Sequence, residues 1–91
     1  MPPKSVTWFT RGLFRLLVLI DRAGNTGMPM TELAEKMEVS RSTIARMISH
    51  ARDCYDCTIH WNGDRYTIRD WGVFDPKRVR QTVRRDRARA E

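Results

Sequence analysis

The run from Met30 to Ile48 restricts what this chain can fold into more than any other stretch of it. Leu33, Ala34 and Met37 fall at i, i+1 and i+4, one apolar face of a short helix that Thr31 is placed to cap. Val39 sits in a tight connection, and Ser40 is placed to cap a second helix. Ile44, Met47, Ile48 and Ala51 form the buried stripe of that second helix. Arg41, Ser42, Ala45, Arg46, Ser49 and Arg52 are left facing outward. The pattern predicts a helix-turn-helix whose second helix, over residues 41–52, offers Arg, Ser and Ala to a major groove. An ordinary helical hairpin with Arg41 and Arg46 merely solvated is the alternative, so the residues that follow matter.

From Cys57 to Arg69 the apolar period changes to two. Ile59, Trp61, Tyr66 and Ile68 alternate with Thr58, His60, Arg65, Thr67 and Arg69. Asn62-Gly63 between the runs suits a type I′ turn, with its two positive φ values. That turn would set Trp61 opposite Asp64, His60 opposite Arg65, Ile59 opposite Tyr66 and Thr58 opposite Thr67. All four apolar residues then share the face toward the helices, and His60, Arg65 and Arg69 lie on the other face and the tip. A basic hairpin directly after a recognition helix reads as a wing.

The order of helix, helix-turn-helix and two-stranded hairpin resembles the winged helix-turn-helix fold. The run from Leu33 to Ile48 is similar to the DNA-binding domains of bacterial DeoR-type and biotin-repressor-type regulators. Gly63-Asp64-Arg65-Tyr66-Thr67-Ile68 matches the Gly-x-x-Tyr-x-Leu/Ile end of their wings. The resemblance covers roughly residues 12 to 70. It implies an α+β domain, a three-helix core with a two-stranded wing, over residues 1–74, followed by a basic C-terminal helix or tail over 75–91. One position departs from the family: the turn usually holds Gly, and this chain has Glu38. A side chain at positive φ there costs about 1 kcal/mol.

The charge is lopsided. The chain carries a net +6, and residues 77–91 hold seven Lys or Arg against Asp86 and Glu91, so +5 belongs to the tail and +1 to residues 1–76. Asp75-Pro76 is a strong helix start, with Asp as N-cap and Pro at the first helical position. Val79 and Val83 lie four apart, with Arg, Lys, Gln, Thr and Asp around them. Lys77, Arg78, Arg80, Arg84 and Arg85, with Arg87 and Arg89, are therefore expected at phosphates; a solvated tail is the plain alternative.

The first helix, from Trp8 to Ala23, has more apolar surface than one contact needs. Leu13, Leu16, Leu17 and Ile20 suit a core against the helix-turn-helix, while Phe14 and Val18 lie off that stripe. With Trp8, they are expected to form a homodimer interface, which suits two-fold reading of a palindrome. The competing reading is that the C-terminal helix folds back through Val79 and Val83 and covers this face.

On the recognition helix, Arg41 and Arg46 are expected at base edges, most naturally guanine O6 and N7. Ser42, Ala45 and Ser49 are small enough to let the helix approach, and the amides near Ser40 and Thr43 favour a phosphate. Arg65 is placed to enter a minor groove or grip the backbone, joined by His60 when protonated.

His50, Cys54, Cys57 and His60 could in principle supply a tetrahedral zinc set. Their spacing is unlike the usual finger, and alternation sends Cys57 and His60 to opposite faces of one strand. Both thiols are expected as semi-buried small hydrophobes, with no metal and no cofactor. There is no nucleophile–base pairing and no Gly-rich phosphate loop, so the chain is not read as an enzyme, and no small-molecule substrate is evident. No run of about 18 apolar residues and no signal-peptide pattern occur, so no membrane is involved and the cytoplasm is the expected location.

The function expected is sequence-specific binding of double-stranded DNA by a small transcriptional regulator. A repressor fits best, and the size suits a phage or mobile element. A winged-helix protein-interaction module, or an architectural, excisionase-like factor, is the alternative.

Overall fold

A computed structural model describes the backbone of residues 3–90 and the side chains of residues 9–85. Helix α1 (Pro3–Arg22) is followed by a 3-10 turn at Gly24–Thr26 and a two-residue strand, β1 (Met28–Pro29). β1 runs without a loop into α2 (Met30–Met37), and α3 (Arg41–Tyr55) follows. Strands β2 (Thr58–Trp61) and β3 (Arg65–Asp70) form the hairpin, and α4 (Pro76–Ala90) ends the chain's described part.

The stripes read from sequence meet in one core. Leu13, Leu16, Leu17 and Ile20 of α1 pack with Leu33 of α2 and Ile44, Ile48 and Ala51 of α3, each at most 2% exposed. Burying each large aliphatic contributes about 1.5–3 kcal/mol relative to leaving it in water. The connection between α2 and α3 turns at Glu38, whose φ of 58° is left-handed and whose amide donates to the Ala34 and Glu35 carbonyls. Ser40 caps α3, its Oγ accepting from the Thr43 amide at 3.2 Å. Thr31, expected to cap α2, lies inside the helix instead. The cap position is Pro29, because the extended backbone of β1 continues up to that residue.

The sheet corrects the expected hairpin in two ways. It has three antiparallel strands in the order β1-β3-β2, so β3 is central and the wing is rooted on both sides. Met28 pairs with Tyr66 and Pro29 with Arg65, and an edge strand is where a proline, lacking an amide donor, is tolerated. The register is also shifted by two: Trp61 lies opposite Tyr66, His60 opposite Thr67 and Ile59 opposite Ile68. The turn has moved on by one residue to Gly63-Asp64: the Asn62 amide donates to the Arg65 carbonyl at 3.1 Å, while Asn62 Oδ1 accepts from the amides of Asp64 (3.0 Å) and Arg65 (2.8 Å).

A shift of two preserves which face each residue occupies. Burial still departs from the simple alternation. Ile59 is buried and Tyr66 and Ile68 are half-buried, but Trp61 is 44% exposed. Thr67, on the opposite face, is buried, because Gly27 lies against it. A Cβ at Gly27 would stand 2.8 Å from the Tyr66 carbonyl and 3.1 Å from Thr67 Cγ2, so only glycine lets this close approach occur.

α4 settles the fate of the surplus apolar surface on α1. Val18, Val79 and Val83 form a second buried cluster, with Phe14, Trp71 and Phe74 packed around it. Phe14 and Phe74 meet edge to face at 5.2 Å. Of the residues expected at a dimer interface, Val18 is thus buried within the chain, Phe14 is half-buried against Phe74, and the side chain of Trp8 lies outside the described residues. Asp75 starts α4 as its sequence implies, its Oδ1 accepting from the Lys77 amide at 2.9 Å. Arg80 fastens α4 to α1, donating from Nε (3.1 Å) and Nη2 (2.8 Å) to Asp21, with its guanidinium 5.8 Å from the Trp71 ring.

The strap between β3 and α4 is seated on the end of α3. The Val73 amide donates to the Tyr55 carbonyl at 3.0 Å, and the Gly72 amide donates to Asp70 Oδ1 at 2.7 Å. Gly72 has a φ of 60°, and a Cβ there would collide with the Tyr55 and Asp56 backbone.

Candidate nucleic-acid interface

The site is built from the solvent face of α3. Because Ile44, Met47, Ile48 and Ala51 are buried, the helical period turns Arg41, Ser42, Ala45, Arg46, Ser49 and Arg52 outward, and all six are exposed. At 100° per residue they fall within an arc of about 140°. Neither Arg41 nor Arg46 has a hydrogen bond or ion pair among the described residues. Both guanidiniums are therefore available for bidentate donation to a planar acceptor such as a guanine edge or a phosphate. Ala45 and Ser49 between them leave room for the helix to approach.

The start of α3 is organised by its cap. Ser40 Oγ and Thr43 Oγ1 lie 3.0 Å apart, and Ser40 also takes the Thr43 amide. Both hydroxyls are thus engaged with each other, which distinguishes Ser40 and Thr43 from the free Ser42 and Ser49. The Arg15 guanidinium on α1 donates to the Lys36 carbonyl at 3.2 Å, holding the C-terminal end of α2 and with it the angle between the two helices.

The wing differs from expectation at its tip. Arg65 does not project. Its Nη1 donates to the Gly27 carbonyl at 3.4 Å and its Nε lies 3.4 Å from Asp64. The tip residues Asn62, Gly63 and Asp64 carry no cation. His60 is exposed on β2, and Arg69 is exposed lower on the hairpin, its Nε 3.5 Å from Thr67 Oγ1. What the wing does present is Trp61, stacked at a tilt on Tyr66 with centroids 4.5 Å apart. Period-two reading placed Trp61 inward; its position as the last residue of β2 was the signal that it outruns the helices. Arg52 lies on the outward face of α3, where the helical period places it with Arg41.

The cysteine and histidine residues do not converge. Cys54 is exposed, with Sγ 3.6 Å from His50 Nδ1, and not the semi-buried thiol expected. The His50 ring lies edge-on between Phe9 and Tyr55. Cys57 is buried and donates to the Trp71 carbonyl at 3.3 Å. Desolvation pushes its thiol above the usual range, with the charges of Asp70 and Asp56 adding to the effect. No three His, Cys, Asp or Glu side chains among the described residues are grouped as a metal would require.

Residues 9–50, which span most of α1 together with α2 and the first ten residues of α3, match the model of the MarR family. This is a winged-helix DNA-binding domain. The match does not extend to features particular to DeoR-type or biotin-repressor-type regulators, nor does it reach the wing or α4. No curated protein and no solved structure gives a significant match. No helix among the described residues is long and apolar enough to cross a membrane.

The winged-helix frame assigns different settings to the expected contact residues. Arg41, Ser42, Ala45, Arg46 and Ser49 share one exposed face. Lys77, Arg78, Arg84 and Arg85 share a separate one on α4, while Arg80 is occupied by Asp21.

Proposed function

We propose that this protein is a transcriptional repressor that recognises double-stranded DNA by inserting α3 into the major groove. The observation that carries the reading is the exposed face of α3, where two unpaired arginines are spaced among small residues on a helix fixed by the core. Arg41 and Arg46 read base edges, Ser42 and Ser49 contribute further polar contacts, and repression follows from occupancy of the site. Two-fold reading by a homodimer belongs to the same proposal. It uses a surface other than Phe14 and Val18, because Val18 is buried under α4 and Phe14 is half-buried against Phe74.

The test compares a selected duplex with a random one by fluorescence anisotropy, for the wild type and for Arg41→Ala/Arg46→Ala. Each arginine is expected to supply about 1–3 kcal/mol of discrimination. The double variant should bind both duplexes alike. Unchanged preference in that variant would sink the proposal.

An architectural role has one observation in its favour, the exposed Trp61 on a wing whose tip lacks a cation. Apolar side chains that wedge into a minor groove bend the duplex. End-to-end energy transfer on a labelled duplex checks this: a bend lost in Trp61→Ala supports it, and a straight duplex with the wild type excludes it.

A further inference from the structure

The cations of α4 form a continuous face with a definite direction. Val79 and Val83 point into α1, and at 100° per residue Lys77, Arg78, Gln81, Arg84 and Arg85 fall within an arc of about 120° centred opposite the valines. All five are exposed, and no carboxylate is interleaved among them. Lys77, Arg84 and Arg85 have no partner among the described residues, and Arg78 has only Asp75 at 3.9 Å. From Lys77 to Arg85 the face runs about 12 Å along the helix, which is three to four steps of a duplex.

This face does not look the same way as the reading face. α1 stands between the two helices: Leu13, Leu16, Leu17 and Ile20 face the core that holds α3, while Phe14 and Val18 face α4. Those two sides of α1 are about 130° apart around its axis. The cations of α3 point away from the core, and those of α4 point away from α1. A straight duplex lying against α3 therefore leaves the α4 face uncovered. A dense row of cations without small residues suits a phosphate backbone and carries no means of reading bases.

We propose that the Lys77–Arg85 face of α4 is a second DNA-binding surface that holds a different duplex from the one in α3, so that one molecule bridges two segments of DNA. The inference rests on the reading of α3 as a duplex binder. The α3 contact supplies the address, and the α4 contact is indifferent to sequence. Four cations at phosphates predict that log affinity for the second duplex falls with log salt by about 3.5 units per decade.

The experiment tethers a duplex carrying the selected site, adds the full chain, and measures retention of a labelled random duplex. The wild type should retain it, with the salt dependence above. Lys77→Gln/Arg84→Gln/Arg85→Gln should still occupy the tethered duplex but retain at least tenfold less of the second. These side chains are exposed and unpaired, and an unchanged circular-dichroism melt confirms that the variant folds. If the triple variant bridges as well as the wild type, bridging comes from paired copies and the proposal falls. It falls also if the variant instead loses affinity for the tethered duplex with a shallower salt slope, since α4 would then share that duplex. Capture of a polyglutamate peptide but not of a second duplex would assign the face to an acidic protein and overturn it as well. Failure of the wild type to occupy the tethered duplex at all would bring down the functional reading itself, a separate result.

Discussion

The two basic helices of this protein are held, and furnished, in opposite ways. α3 sinks Ile44, Met47, Ile48 and Ala51 into the main core and is seated at its start by Ser40. α4 rests on two valines and one ion pair. The outward face of α3 is sparse in charge and sets arginines among serine and alanine, whereas that of α4 is four cations and a glutamine. Depth of anchoring and type of contact go together. Donors that must meet a base edge within hydrogen-bond distance need a rigid mount, while charges near phosphates tolerate play. On the roles proposed for the two helices, the one that has to be accurate is the one the core holds.

The sharpest way to break this comparison is at Gly72, where strap and α3 touch. Gly72→Ala forces a side chain into the left-handed region and against the Tyr55 and Asp56 backbone, at a cost of roughly 2–5 kcal/mol. Thermal unfolding should show a drop of that size; an unaltered melting temperature would mean the strap can leave α3 freely. Next comes Val79→Ala/Val83→Ala, which removes four buried methyl groups worth about 3 kcal/mol. Amide exchange should then speed along α4 while α3 stays protected, and uncovering Phe14 and Val18 should promote self-association in sedimentation. Equal acceleration in both helices would show that they form one cooperative unit.

Smaller effects sharpen the picture of the reading half. Glu38 holds a φ of 58°, so Glu38→Gly should raise stability by about 1 kcal/mol in urea titration without touching DNA preference. The smallest is a pH effect. Burial raises the Cys57 thiol, so the native state keeps that proton longer than the unfolded chain does. Stability from this group is whole below the ordinary thiol value of about 8.5 and declines as pH rises through it. A thiol-alkylating reagent at neutral pH should accordingly modify the exposed Cys54 and spare Cys57 until the protein unfolds.

Where the chain was legible, the information was local. The α3 stripe, the Ser40 cap, the left-handed Glu38 and the Asp75-Pro76 start each depend on residues within one or two helical turns, and each is found where expected. Where the reading missed, a distant or side-chain partner decided. The hairpin register turned on closure at Gly63-Asp64 instead of Asn62-Gly63, one residue along, with Asn62 bonded to Arg65 through both its amide and its side chain. β1 escaped notice because two residues, one of them proline, have no periodicity to detect. Arg65 and Arg80 looked like free cations until Gly27 and Asp21 arrived from other parts of the chain. For Phe14 and Val18 both outcomes were visible in the pattern, and only the packing of two valines chose between them.

The short strand has a consequence for the length of any binding site. Pro29 is at once the last residue of β1 and the cap position of α2, so sheet and helix-turn-helix share one uninterrupted piece of backbone. The wing's root is stapled to that piece through Met28–Tyr66 and Pro29–Arg65. Hairpin and reading helix therefore behave as the two jaws of a fixed gauge. Inserting one base pair between their footprints displaces one contact by about 3.4 Å along the duplex and a tenth of a turn around it. The jaws cannot open to follow, so under the proposed reading of DNA by α3 a site is measured by spacing as well as by sequence.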